Sequence, residues 1–203
     1  MIDTLIFDFG DVFINLDKEG AMKNALDIFN MSSLSSEMIE LNKLYEQGLM
    51  STKEFTKGYQ SLVPNLSELE LKDIWNFIIK DFPDYRLDYV KDLANKTDYQ
   101  LILLSNTNEL HIDYIKKEVP FYDEFKSQFD QFYLSHEIQL RKPEKSIFEF
   151  VLDTNSLDPQ QCFFIDDTEE NTQTAEQMGI HTWTIDPLNE DVIDLFKKFD
   201  HLF

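Results

Sequence analysis

The sequence predicts an α/β protein, a doubly wound parallel sheet with a small helical insertion. Three observations predict it. Five short apolar runs (Leu5-Ile6-Phe7 and residues 99–104, 131–134, 162–165 and 182–185) have the length and composition of buried strands. Helix-length segments separate the later four, the alternation expected of a parallel sheet covered on both faces. Between Phe13 and Tyr99 the only periodic signals are helical.

The elements follow in order. The first run ends in Asp8, and Gly10 is expected to release the chain through an unusual backbone conformation. Residues 18–29 read as a helix, with Asp17 as a candidate N-cap. Ser35 or Ser36 starts a second helix carrying Met38, Ile39, Leu41 and Leu44, which stops near Gly48. Ser51 with Glu54, and Ser67 with Glu70, have capping-box spacing. Pro64 closes the first of those helices, and Leu71, Ile74, Trp75 and Ile78 mark an apolar face on the second. These helices are expected to form an inserted domain over residues 16–85, with residues 1–15 and 86–203 as the α/β core. Tyr45, Phe55, Tyr59, Trp75 and Phe77 read as the interior of the insertion. Residues 84–95 return the chain to the sheet as a helix, and residues 110–119 form another, closed by Pro120. A helix over residues 144–153 follows the Arg141-Lys142-Pro143 loop. One through Ala175 and Met178 ends at Gly179, and residues 191–199 form a last amphipathic helix.

Length and charge set bounds. A chain of 203 residues suffices for one sizeable core with a small insertion. Lys and Arg total 18 against 39 Asp and Glu, a net charge of -21, which repels nucleic acid and anionic membranes. Any phosphate site must therefore build its own local positive charge. The lone Cys162 sits in an apolar run and reads as a small core residue. No basic leader and no membrane-length apolar stretch is present in the sequence, so the expectation is a cytoplasmic protein, monomeric or a weak homodimer.

The strand ends carry the chemistry. Parallel strands end on one side, which gathers Asp8, Ser105 and the Asp166-Asp167 pair, and the Lys142 loop follows the third strand into the same region. Carboxylates placed together repel unless a cation neutralises them, and hard oxygen ligands suit Mg²⁺. Ser105 can donate to a phosphoryl oxygen, Lys142 can supply a point charge, and an ionised Asp is a competent nucleophile toward phosphorus once those oxygens are neutralised.

These segments, in this order, resemble the haloacid dehalogenase-like hydrolase superfamily. Ile6-Phe7-Asp8-Phe9-Gly10-Asp11-Val12 resembles the first motif, Leu103-Leu104-Ser105-Asn106-Thr107-Asn108 the second and Arg141-Lys142-Pro143 the third. Phe164-Ile165-Asp166-Asp167, continuing through Asn171 to Gly179, resembles the fourth. Tyr133-Leu134-Ser135 and His111 add a likeness to the branch of sugar 1-phosphate phosphatases and, more distantly, to the N-terminal phosphatase domain of soluble epoxide hydrolases. The resemblance implies a Rossmann-like core with a small α-helical cap, and a Mg²⁺-dependent phosphatase of a small phosphorylated metabolite. It implies Asp8 as nucleophile, Ser105 and Lys142 as further catalytic groups, and Ser105, Asn106 and Lys142 as substrate-binding. The implied metal set is Asp8, the Gly10 carbonyl, Asp167 and a supporting Asp166.

One departure matters. The family's second Asp, its general acid and base, falls at Gly10, while Asp11 should point elsewhere. Loss of that group costs about 10²–10⁴-fold in such reactions, which favours ester leaving groups that need little protonation, such as the anomeric oxygen of sugar 1-phosphates. Two alternatives stand beside this reading. A metal-independent 2-haloacid dehalogenase also lacks the second Asp, although the Asp166-Asp167 pair argues against it. The other is a catalytically weak phosphate-ester-binding protein. Asn171 reads equally as a site residue and as a helix-start residue, and His111 as a satisfied helix-face histidine or a substrate contact.

Overall fold

The apolar runs build one five-stranded sheet. β1 (Thr4–Phe7), β2 (Gln100–Ser105), β3 (Gln131–Leu134), β4 (Cys162–Asp166) and β5 (His181–Thr184) lie in the order β3-β2-β1-β4-β5, and every neighbouring pair is parallel. The structure, a computed structural model, describes residues 1–96 and 98–203. The chain moves outward from β1 to β3, then crosses back to β4, so the strand order reverses between β1 and β4. Open α/β sheets bind ligands outside the strand ends at such a reversal. Phe7 pairs with Ile165 across that boundary, and the Asp8 N–H donates to the Ile165 carbonyl at 2.8 Å. Asp8 and Asp166 therefore leave adjacent strands side by side.

The period-two alternation of the strands sorts their side chains onto two faces. Leu5, Phe7, Leu101, Leu103, Phe163 and Ile165 pack in one cluster, and Ile6, Ile102, Leu104 and Phe164 in another. The first face is covered by α5 (Asp84–Lys96) through Leu87, Val90 and Leu93, and by α6 (Glu109–Glu118) through Ile112 and Ile115. The second is covered by α9 (Lys145–Asn155) and α10 (Glu169–Gln177). Both faces being buried explains why the strands read as unbroken apolar runs.

Between β1 and α5 come α1 (Lys18–Phe29), α2 (Ser36–Glu46), α3 (Thr52–Leu62) and α4 (Glu68–Asn76). Asp17 caps α1, and both capping boxes form, Ser51 with Glu54 and Ser67 with Glu70. These helices pack in a further cluster centred on Phe29, Met38, Tyr45, Phe55, Tyr59 and Leu71, which Leu110 of α6 joins. The chain leaves and returns along paired segments. Leu16 bridges to Ile79, the Asn15 N–H donates to the Asp81 carbonyl, and the Lys80 N–H donates to the Asn15 carbonyl. Phe82 already packs with the sheet face.

Several expectations are corrected. Residues 191–199 form a 3-10 turn (Val192–Asp194) followed by the short α11 (Leu195–Lys198), rather than one helix. The Asp191 carboxylate there accepts from the Ile193 N–H, Tyr85 and Arg86, which tightens the chain. α7 (Tyr122–Lys126) and α8 (Ser135–Ile138) are too short to show a period in sequence. Phe77 is 40 % exposed, with the Lys80 ammonium over its ring, so it does not belong to the interior. The fifth strand starts and ends one residue earlier than its apolar run.

Arg86 fixes the loop that follows Asp8. It is 5 % exposed and donates to the Phe13 carbonyl at 3.2 Å, to Asn15 Oδ1 at 2.9 Å and to Asp191 at 2.9 Å. Arg86→Ala is expected to cost about 2–3 kcal/mol, below the fully buried range because Asp191 keeps some solvent contact. Urea unfolding measures this. A loss below about 1 kcal/mol would show that the loop is held by other contacts.

Candidate active site

Lys142 sits at the centre of the candidate site. It is 1 % exposed, and its Nζ lies 2.8 Å from Asp8 Oδ1 and 2.5 Å from Asp166 Oδ2. Two neighbouring groups fix its position. Asn106, just past the end of β2, accepts from the Lys142 N–H at 2.9 Å and donates to the Lys142 carbonyl at 2.8 Å. Asp166, fully buried, is held in turn by the Asn171 amide and the Thr168 N–H. The two carboxylates keep the Lys142 ammonium charged, above its usual range, against the desolvation that would lower it. Burial pushes the Asp8 carboxyl up to about 7, because Lys142 is shared with Asp166 and only partly offsets it.

The loop after β1 shapes the remainder. The unusual conformation belongs to Asp11, with φ 56°, and not to Gly10. Gly10 instead leaves room for the Leu16 side chain: a Cβ there would meet Leu16 Cδ1 at 2.6 Å, so Leu16 would have to shift. Leu16 thus takes the room into which a larger residue at position 10 would project. Asp11 turns away, accepting from the Leu16 N–H at 2.9 Å and pairing with Lys18 Nζ at 2.9 Å. Lys18 also meets Asp167 at 2.5 Å. Burial raises the Asp167 carboxyl while Lys18 pulls it back down.

The sequence-selected residues fall into groups. Asp8, Gly10, Asn106, Lys142, Asp167 and Asn171 line one cavity of about 350 Å³. Ser105 is buried at the end of β2, and neither it nor Asp166 is part of that lining. Asn106, read from sequence as substrate-binding, has both ends of its amide engaged with Lys142. His111 lines the cavity but is satisfied, its Nδ1 meeting Asn108 and its Nε2 meeting the Trp75 carbonyl. Burial lowers it to about 4. Lys18, Glu46 and the Glu46–Arg141 pair at 2.7 Å also belong here and were missed in sequence. Long-range charge partners, 95 positions apart for Glu46 and Arg141, leave no local signal.

The donor set fits a divalent cation. Asp8, Asp166 and Asp167 each offer an oxygen within 4.8 Å of the others, a hard all-oxygen group. Every cation in this network is already paired: Lys18 with Asp11 and Asp167, Lys142 with Asp8 and Asp166, and Arg141 with Glu46. When all are ionised, the carboxylates exceed the cations by two charges, the charge of one such ion.

A parallel sheet whose reversal point carries an acidic centre with the donor set for a divalent cation, beside a buried lysine, defines an α/β enzyme with its candidate site at the strand ends. The chain belongs to the haloacid dehalogenase-like hydrolase family, whose pattern matches residues 2–179. It is 26 % identical over 202 residues to a D-ribitol-5-phosphate phosphatase of Bacteroides thetaiotaomicron, covering 90 % of this chain and 91 % of that one. A family enzyme of the same organism, solved in complex with magnesium and inorganic phosphate, is 34 % identical, covers 100 % of both chains and superposes with a TM-score of 0.81. The L-2-haloacid dehalogenase RSc1362, 14 % identical with a TM-score of 0.63, covering 98 % of this chain and 99 % of its own, shares the fold. Among the described residues no helix is long and apolar enough to cross a membrane.

The raised Asp8 carboxyl has a signed consequence. Between about pH 4 and about pH 7 the folded, metal-free protein binds more protons at Asp8 than the unfolded chain, so this group's contribution to stability falls as pH rises through that window. Asp8→Asn removes the titration. Measured by urea unfolding in EDTA, the variant is expected to gain stability over the parent at about pH 8 and not at about pH 4. An equal difference at both values would show that Asp8 is not raised.

Proposed function

We propose that this protein is a Mg²⁺-dependent phosphatase of a small phosphorylated sugar or sugar alcohol, acting through a phospho-aspartate at Asp8. The observation that carries the proposal is the meeting of Asp8, Lys142 and Asp167 on one cavity at the sheet's reversal point. The magnesium-bound relative supports the choice of metal, and the phosphatase relative the reaction. In this reading Asp8, the Gly10 carbonyl and Asp167 hold the ion, with Asp166 in support. Bound there, Mg²⁺ supplies positive charge to the phosphoryl oxygens and keeps Asp8 ionised. An Asp8 oxygen attacks phosphorus, the bond to the ester oxygen breaks, and water later hydrolyses the phospho-aspartate. Lys142 lies against Asp8 and presents its charge to the transferring group. Asn106 positions Lys142 through the backbone, and Ser105 stands beside it at the end of β2. Residues 16–85 act as a cap over this site, a role supported by the apolar cluster that their helices build and the paired segments at residues 15–16 and 78–81.

Two substrate readings have support. Gly10 leaves the departing oxygen without the usual proton donor, which favours sugar 1-phosphates. The D-ribitol-5-phosphate phosphatase relative favours a primary phosphate of a sugar alcohol.

Asp8→Asn is expected to abolish turnover with the fold intact by circular dichroism, and EDTA to silence the parent. Asp167→Ala should weaken Mg²⁺ binding by calorimetry. Turnover that survives EDTA would move the assignment to a metal-independent dehalogenase-type reaction, and phosphatase activity in Asp8→Asn would exclude the phospho-aspartate.

The substrate readings separate in a second experiment. Parent rates on sugar 1-phosphates and sugar-alcohol 5-phosphates are compared with those of Gly10→Asp, made with Leu16→Ala because Leu16 occupies the space. The double variant is expected to gain most on the 5-phosphates, whose leaving oxygen is the stronger base. Equal parent rates, and no differential gain, would mean that another group already transfers the proton.

A further inference from the structure

The cavity over Asp8 continues into a second one of about 210 Å³, and Lys18, Glu46, Ile78 and His111 line both. The second chamber is where the part of an ester beyond its phosphoryl group would lie. Apolar side chains of α1 and α4, such as Ala21, Met22 and Trp75, make much of its wall. Most of its polar groups are already engaged. Asn108 caps α6 through Oδ1 and meets His111 through Nδ2, His111 uses both ring nitrogens, and Lys18 is held by Asp11 and Asp167.

Two are only half engaged. Asn42 Oδ1 accepts the Tyr59 hydroxyl at 2.6 Å, and among the described residues its Nδ2 makes no hydrogen bond. Glu46 Oε2 accepts both Arg141 contacts, at 2.9 and 2.7 Å, and among the described residues its Oε1 makes none. The two residues are one turn apart on α2, at i and i+4, and so share a face. A donor and an anionic acceptor on one helix face match hydroxyl groups on nearby carbons.

We propose that Asn42 and Glu46 read hydroxyl groups of the leaving group, so that the site takes phosphate esters of neutral polyhydroxylated compounds and rejects esters bearing a second anion. The proposal rests on the phosphatase reading above and adds its specificity. The Asn42 amide donates to one hydroxyl oxygen, and Glu46 Oε1 accepts from another hydroxyl. A carboxylate or second phosphate in the leaving group meets the Glu46 charge instead. Lys18 and Arg141, the cations lining the two chambers near it, are both paired and offer such a group no counter-charge.

The test is steady-state kinetics with Mg²⁺ on three esters: a pentitol 5-phosphate, p-nitrophenyl phosphate, which has no hydroxyl to read, and a sugar-acid phosphate. Parent, Glu46→Gln and Asn42→Asp are compared, with Glu40→Gln, elsewhere on α2, as control. Asn42→Asp keeps an acceptor for Tyr59, removes the free donor and leaves Arg141 untouched. The ratio of kcat/KM on the pentitol ester to that on p-nitrophenyl phosphate is expected to fall about tenfold in each variant, as for loss of one hydrogen bond, and to stay unchanged in the control. Glu46→Gln should also gain about tenfold on the sugar-acid ester relative to p-nitrophenyl phosphate, as removal of one like charge would give. An active parent whose ratios are left unchanged by Asn42→Asp and by Glu46→Gln overturns the proposal and leaves the phosphatase reading standing. A parent inactive on all three esters overturns the phosphatase reading itself.

Discussion

One buried ammonium organises this protein's strand-end chemistry. A lysine removed from water costs several kcal/mol unless carboxylates replace its hydration. Lys142 meets that requirement only where the ends of β1 and β4 come together, because Asp8 and Asp166 arrive from those two strands. The loop that delivers it is clamped by Asn106 at the end of β2, and Asp166 is clamped by Asn171 from α10. Four segments far apart in sequence thus converge on one charge. Removing that charge leaves two carboxylates facing each other in a nearly dry site, so the arrangement is consistent only as a whole.

The helical segment between β1 and α5 is coupled to the same charges. Lys18, in the first turn of α1, reaches back to Asp11 and Asp167. Glu46, at the end of α2, pairs with Arg141, the neighbour of Lys142, and its carbonyl accepts the Ser135 hydroxyl at 2.6 Å. Gly48 follows with φ 65°, and a Cβ there would overlap the His136 carbonyl oxygen at 1.9 Å. Only glycine permits that approach. The segment that walls the second chamber is therefore tied to the sheet at both its α1 and α2 ends. The cluster that its helices build supplies internal rigidity, and the ion pairs supply its register against the site.

Much of this was legible in sequence, and the limits have physical causes. Strands buried on both faces announce themselves as apolar runs, and residues that need a charge at a strand end stand out against them, as Asp8 and Asp166 do. The two capping boxes and the Asp17 cap were readable because their partners lie three residues away. What failed to appear was tertiary. Nothing near Asn106 in sequence indicates that it holds the Lys142 backbone, and nothing near Glu46 indicates Arg141. Gly10 was read for its backbone freedom, whereas the structure uses its lack of a side chain to admit Leu16, and gives the left-handed conformation to Asp11. Asp and Asn tolerate that region better than most residues, so an Asp beside a Gly makes the choice ambiguous from sequence.

The acidity of the chain bears on how such a site handles an anion. With a net charge of -21, the field outside repels a phosphate ester, so attraction has to be local. Yet the local cations Lys18, Arg141 and Lys142 are each matched by carboxylates. Protein charge alone therefore gives a dianion little net attraction at Asp8, and burial raises that carboxyl toward its neutral form. A divalent ion held by Asp8 and Asp167, as proposed above, would reverse both conditions together. In the proposed function it would cancel the excess of carboxylate charge and keep Asp8 an anion beside the phosphoryl group. Under that proposal, capture of the ester and activation of Asp8 would depend on the same ion.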